Sequence, residues 1–150
     1  MLMPSVFEPE TANKILGRIN QLQPDSIGQW GKMNVAQMMA HVSTVLELGT
    51  GDRHEKPKLI FRLLGPLMKK MVLNTKPYKP NLPTGKNFIM ANERSFDIEK
   101  ERLLQVYNSF VQSAATIEGK EHPIFGKMTA AEWGFSQWKH LDHHLRQFGV

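Results

Sequence analysis

Apolar residues recur at helical spacing in four stretches of the chain. Between Glu10 and Leu22, Ile15, Ile19 and Leu22 fall at steps of four and three, with Pro9 suited to a first helical turn and Pro24 closing the run. A second helix is predicted from Asn34, whose side chain can cap and whose capping-box partner is Gln37; it runs to Glu47 or Leu48, ahead of Gly49 and Gly51. A third begins near Asp97 and carries Leu103, Val106, Tyr107, Phe110, Ala114 and Ile117 on one stripe before Gly119. The fourth opens with Thr129-Ala130-Ala131-Glu132, a capping box in sequence form, and continues to Gln147. With no strand-like alternation between them, four such helices predict an all-α helical bundle.

The connection from about Gly49 to Phe96 is longer than a simple turn between helices requires, so it must carry structure of its own. Pro57 to Leu73 reads as an amphipathic helix broken at Gly65-Pro66, and Pro77, Pro80 and Pro83 as extended chain. A crossover of this length can return the chain to its starting end, so that the second and third bundle helices run parallel with the insertion laid over an end or flank. The apolar residues Leu59, Ile60, Phe61, Leu63, Leu64 and Leu67 are expected to pack on the bundle or on a second subunit rather than on a membrane.

Composition narrows the chemistry. The 150 residues, 41% of them hydrophobic, fit a single domain over 1–150 with a core of its own, and the absence of Cys excludes disulfides, thiolate metal sites and a cysteine nucleophile. A formal charge of +5 arises mainly between Arg53 and Lys86, where Lys56, Lys58, Arg62, Lys69, Lys70, Lys76 and Lys79 face only Glu55. No aromatic residues interleave with that charge on strands, which argues against nucleic acid as partner. The segment Met1–Phe7 lacks the pattern of a secretory leader and no run reaches membrane-spanning length; a cytoplasmic protein without stable membrane association is the expectation.

The candidate chemistry lies in His140-Leu141-Asp142-His143-His144. At ~100° and ~1.5 Å per residue, His140 and His144 sit one turn apart and within ~40° of each other on a helix, a pincer for one divalent ion. A third donor is expected from His41, beside the apolar arc of Met38, Val42 and Val45 on the second helix; if the two helices are neighbours, three imidazoles converge and leave coordination positions open. His143 competes through its i, i+3 relation to His140, and otherwise reads as a surface or supporting residue. Gln37 and Gln137 each precede a proposed ligand by about one turn, a position from which a side chain can orient an imidazole or bind solvent. His122, before Pro123, is a turn residue or a lining residue of the pocket. No secure general base stands out, since Glu132 lies two turns before His140 and Asp142 on nearly the opposite side of its helix.

Two stretches carry a resemblance: Trp30-Gly31-Lys32-Met33-Asn34 leading to the lone His41, and the tail His122-Pro123-Ile124-Phe125-Gly126-Lys127-Met128-Thr129, Trp133 and His140 to Gly149. In these the chain resembles the DinB-like (YfiT-type) superfamily of small four-helix metalloproteins, in particular its uncharacterised branch. The resemblance implies a bundle ordered up, down, down, up and a divalent ion, nickel or zinc, held by His41, His140 and His144. It also implies a small-molecule substrate, since some relatives transfer low-molecular-weight thiols or isomerise thiol-linked substrates. The long insertion departs from the minimal bundle. Together these readings lead to a metal-dependent hydrolase or thiol transferase or isomerase, with a non-catalytic ligand-binding or metal-stabilised module as the alternative; homodimerisation is an expectation for helical bundles of this size.

Overall fold

The computed structural model describes residues 3–150; Met1 and Leu2, part of the segment read for a leader, lie outside the described residues. Five α-helices account for most of it: α1 (Pro9–Gln21), α2 (Val35–Thr50), α3 (Leu59–Val72), α4 (Phe96–Gln112) and α5 (Ala130–Gln147). Both predicted capping boxes form, Asn34 with Gln37 and Thr129 with Glu132. α2 runs past Leu48 because the break comes at Gly51, whose φ of 90° closes the helix in the left-handed region while its N–H donates to the Glu47 carbonyl.

Three features differ from the sequence expectation. The Pro57–Leu73 stretch is one continuous helix with Pro66 inside it, not a broken one. The long stripe ends earlier than Gly119: α4 stops at Gln112, and a 3-10 turn over Ser113–Ala115 delivers Ile117 to the core from outside the helix. A two-stranded antiparallel hairpin, β1 (Glu121–His122) and β2 (Gly126–Lys127), pairs Glu121 with Lys127 and His122 with Gly126, in segments too short to show alternation.

α2 packs most extensively on α4, and both α2 and α1 touch α5. The core between them is filled by Ile15 and Ile19 of α1, Met38, Met39 and Leu46 of α2, Leu103, Tyr107 and Phe110 of α4, and Trp133, Leu141 and Leu145 of α5. Polar ties fix the helices in register. The Tyr107 hydroxyl donates to the Ala12 carbonyl at 3.0 Å, Arg18 of α1 reaches Asp142 of α5 at 2.8 Å, and Arg102 of α4 pairs with Glu47 of α2 at 2.7 Å. Ahead of α1, the Val6 N–H donates to the Gly134 carbonyl and lays the N-terminal arm across α5.

The insertion returns to the body through α5. The buried Lys139 ammonium donates to the carbonyls of Val72 and Asn74 at 2.9 and 2.7 Å and lies 4.4 Å from the centre of the Tyr78 ring, so one side chain caps α3 and holds the following turn. Lys69 donates to the Lys127 carbonyl and pairs with Glu132 at 2.7 Å.

Two glycines on helices give opposite expectations. A Cβ at Gly49 would overlap the ring of Phe110, which is fully buried, whereas one at Gly17 would meet nothing within 4 Å. Gly49→Ala should therefore cost about 1–3 kcal/mol through overpacking, and Gly17→Ala should gain up to about 1 kcal/mol from helix propensity. Urea unfolding of the two variants tests the pair of signs.

Candidate metal centre

The helical spacing that makes a pincer of His140 and His144 also turns both rings toward α2. His41 is buried at the middle of α2, and its ring centre lies 5.0 Å from that of His140 and 4.9 Å from that of His144. One ring nitrogen from each of the three lies within 4.8 Å of the other two, an arrangement that can hold a metal ion.

Which nitrogen faces inward follows from what the other one does. His41 Nδ1 sits 2.9 Å from the Phe88 carbonyl oxygen, which can only accept, so Nδ1 carries the proton and Nε2 keeps its lone pair. Gln147 Nε2 donates to the Trp30 carbonyl at 2.7 Å, which sets the amide with Oε1 toward His144 Nδ1 at 2.8 Å; that nitrogen must then be the protonated one, leaving His144 Nε2 free. His41 Nε2 and His140 Nε2 approach to 3.1 Å. Bonds of about 2.05 Å to a tetrahedral ion separate adjacent nitrogens by ~3.3 Å, so the donor set fits a divalent ion held by imidazole nitrogen. His140 is half-buried as a residue, but its Nδ1 is sealed from solvent and without a partner.

Burial keeps these rings neutral. Loss of hydration is the first cause of the lowered pKa at all three, with the neighbouring imidazoles adding to it at His140; at His41 the Phe88 carbonyl works in the opposite direction, and His144 falls to about 3. Neutral imidazole is the form that ligates.

A cavity of about 260 Å³ opens beside the three rings. The insertion roofs it with Tyr78, Leu82, Pro83, Thr84, Gly85 and Phe88, the hairpin adds His122, Ile124 and Phe125, and α5 contributes Ser136, Gln137 and His143. Among the described residues no Asp, Glu, Lys or Arg lines it.

The other sequence candidates take distinct places. Gln137 lines the cavity and its Oε1 is buried without a partner. His143 also lines it, packed between Trp30 and Tyr78, with Nδ1 likewise unpartnered; its pKa is lowered by burial first and by Arg146 next. His122 Nδ1 accepts the N–H groups of Ile124 and Phe125 at 3.1 and 3.3 Å, so the ring shapes the hairpin turn and presents its other edge to the cavity. Gln37 stays with its capping box and with the carbonyls of Ala91 and Asn92, away from the cavity lining. Glu132 is held by its cap and by Lys69, and Asp142 by Arg18 and Arg146. Sequence reasoning missed Gln147 and the Phe88 carbonyl. Gln147 was findable, because it lies at i+3 from His144 on the same helix face; a backbone carbonyl from the insertion leaves no side-chain signal.

A family model described as a protein of unknown function, DUF1569, matches residues 7–149, and the chain belongs to that family. No curated protein matches the chain, and no solved structure does.

Gln147→Leu removes the acceptor that fixes the His144 tautomer and should weaken divalent-ion affinity about 10–100-fold, read by competition with a chromophoric chelator. Stability should also depend on pH. The folded-state pKa values of His122, about 4, and His144 lie below the unfolded value, so the unfolded chain binds more protons as pH falls. Stability is therefore full above pH ~6.5 and declines below it, by about 1.4 kcal/mol per pH unit for each such imidazole until its folded pKa is reached. Urea midpoints of the chelator-treated protein between pH 7.5 and 5 should show the decline, and His122→Gln should reduce its slope.

Proposed function

We propose that this DUF1569 protein is a four-helix bundle of the DinB-like kind, built from α1, α2, α4 and α5, and a divalent-metal-dependent enzyme acting on a small organic substrate. The observation that carries the reading is the tautomer control at two of the three clustered histidines. The outer nitrogens of His41 and His144 are each committed to a protein acceptor, so unprotonated nitrogens meet beside a cavity rather than in a sealed core. His41, His140 and His144 would hold the ion, with nickel or zinc suited to three imidazoles. A bound ion would supply Lewis acidity to a donor atom of the substrate.

The remaining residues select and orient. The apolar walls formed by Leu82, Pro83, Phe88, Ile124 and Phe125 exclude water from the reacting end of a ligand, and Gln137 adds a polar side chain to the lining. A lining without formal charge favours an uncharged body, such as a neutral thiol, thioether, ester or amide; a thiol bearing carboxylates would have to keep them outside the chamber. His143, neutral and lining the cavity, is the residue this reading assigns to take a proton from a ligand. The absence of a carboxylate among the described lining residues favours a second reading, a binding module in which the ion orders the helices and the chamber holds a ligand without turnover.

His41→Ala, His140→Ala and His144→Ala should each reduce metal content from about one ion per chain to a small fraction of that, measured by elemental analysis after loading and desalting. Unchanged content in His41→Ala would take α2 out of the site. Metal-dependent turnover of a panel of uncharged thioethers, esters and amides supports the enzyme, whereas ligand binding indifferent to chelator supports the module.

A further inference from the structure

α3 is joined to the body along one side. Gly65 rests against the Ile124 carbonyl so closely that a Cβ would collide with it, Lys69 reaches β2 and α5, and Lys139 caps the C-terminal end. The opposite side is bare. Leu59, Ile60, Leu63, Leu64, Leu67 and Met71 are all exposed, Leu59 at 74% and Leu63 at 76%. At ~100° per residue these six fall within an arc of ~140° whose centre lies almost diametrically across the helix from Gly65. Of the two packing expectations, bundle or second subunit, this overturns the bundle for Leu59, Ile60, Leu63, Leu64 and Leu67, whereas Phe61 is half-buried. A contiguous, aliphatic, solvent-facing stripe of this kind on a single helix marks an interaction surface.

Charge says what it fits. From Lys56 to Lys86 the chain contains no acidic residue, and Lys56, Lys58, Arg62, Lys70, Lys76 and Lys79 are exposed around α3 and the turn after it. Lys70 sits at the edge of the apolar arc and Arg62 on its flank. Pairing this face with its copy on a second chain would bring base against base with no acid in the segment to offset them. A bilayer with anionic headgroups satisfies both features at once: aliphatic side chains enter the acyl boundary while flanking ammonium and guanidinium groups meet phosphates. No helix among the described residues is long and apolar enough to cross a membrane, so the contact is with a surface.

We infer that the exposed face of α3 docks on an anionic lipid bilayer. The helix then lies in the plane of the headgroups with Gly65 toward the protein side, and the roof segment that follows α3 is carried close to the lipid. The docking face is separate from the histidine site, so it does not depend on the proposed activity.

The test is co-sedimentation of the full chain with vesicles of phosphatidylcholine alone and of phosphatidylcholine mixed with phosphatidylglycerol, at low and high salt. Binding is expected to the mixed vesicles at low salt and to weaken with salt. The double variant Leu63→Glu/Leu67→Glu should lose it, and Arg62→Glu/Lys70→Glu should weaken it roughly ten-fold or more. These positions face solvent, so circular dichroism and metal content should stay at the wild-type level, which shows that any lost binding is not lost folding. A tryptophan at the centre of the face, Leu63→Trp, should shift its emission to the blue on mixing with the anionic vesicles. No binding at low salt, or binding indifferent to the Leu63/Leu67 variant, overturns the inference. So does a wild-type dimer in solution that the same variant splits, which would assign the face to a second copy of the chain.

Discussion

An imidazole carries one proton between two nitrogens, and the partner given to one of them decides what the other offers. That constraint governs the centre of this protein. The Phe88 carbonyl and the Gln147 amide oxygen accept hydrogen bonds from the outer N–H groups of His41 and His144, and the inner lone pairs are then turned toward one another. Each partner comes from a different part of the chain: a turn of the insertion, and the last turn of α5, itself fixed by the Trp30 carbonyl. The site is thus a property of the whole fold and not of its two ligand-bearing helices alone.

Burial serves the same end by a second route. Removing the rings from water disfavours their charged form, which is the form that cannot ligate. The cost is a set of buried polar groups on α5 that need partners. Ser136 donates to the Trp133 carbonyl and Lys139 finds three oxygens, while Gln137, His140 and His143 retain atoms with none. Unsatisfied atoms gathered around one chamber distinguish a site from a core, because a core of this density ordinarily pairs its polar groups.

Much of this was legible in the sequence, for identifiable reasons. Capping boxes are local chemistry, so the starts of α2 and α5 could be placed to the residue. The four-residue spacing of His140 and His144 is a geometric statement about any helix, and the apolar arc around His41 gave its direction. What escaped depends on partners distant in sequence or on backbone. Pro66 suggested a break, since an interior proline removes one N–H and crowds the carbonyl four residues earlier, yet α3 continues through it. The two-residue strands of the hairpin have no periodicity to detect. The exposure of α3 could not be read at all, since an amphipathic pattern states that a helix has two faces and not which of them meets the rest of the molecule.

Lys139 and His140 are consecutive, and they point their groups at different neighbours: the ammonium at the end of α3, the imidazole at α2. Adding or deleting a single residue ahead of them in α5 would swing every later side chain by ~100°, uncoupling the insertion and dismantling the ligand set in one event. Length changes at the exposed turn of Pro80 and Asn81, beyond Tyr78, impose no such rotation. Variation in chain length among members of the family is accordingly expected to collect in that stretch and to spare α5.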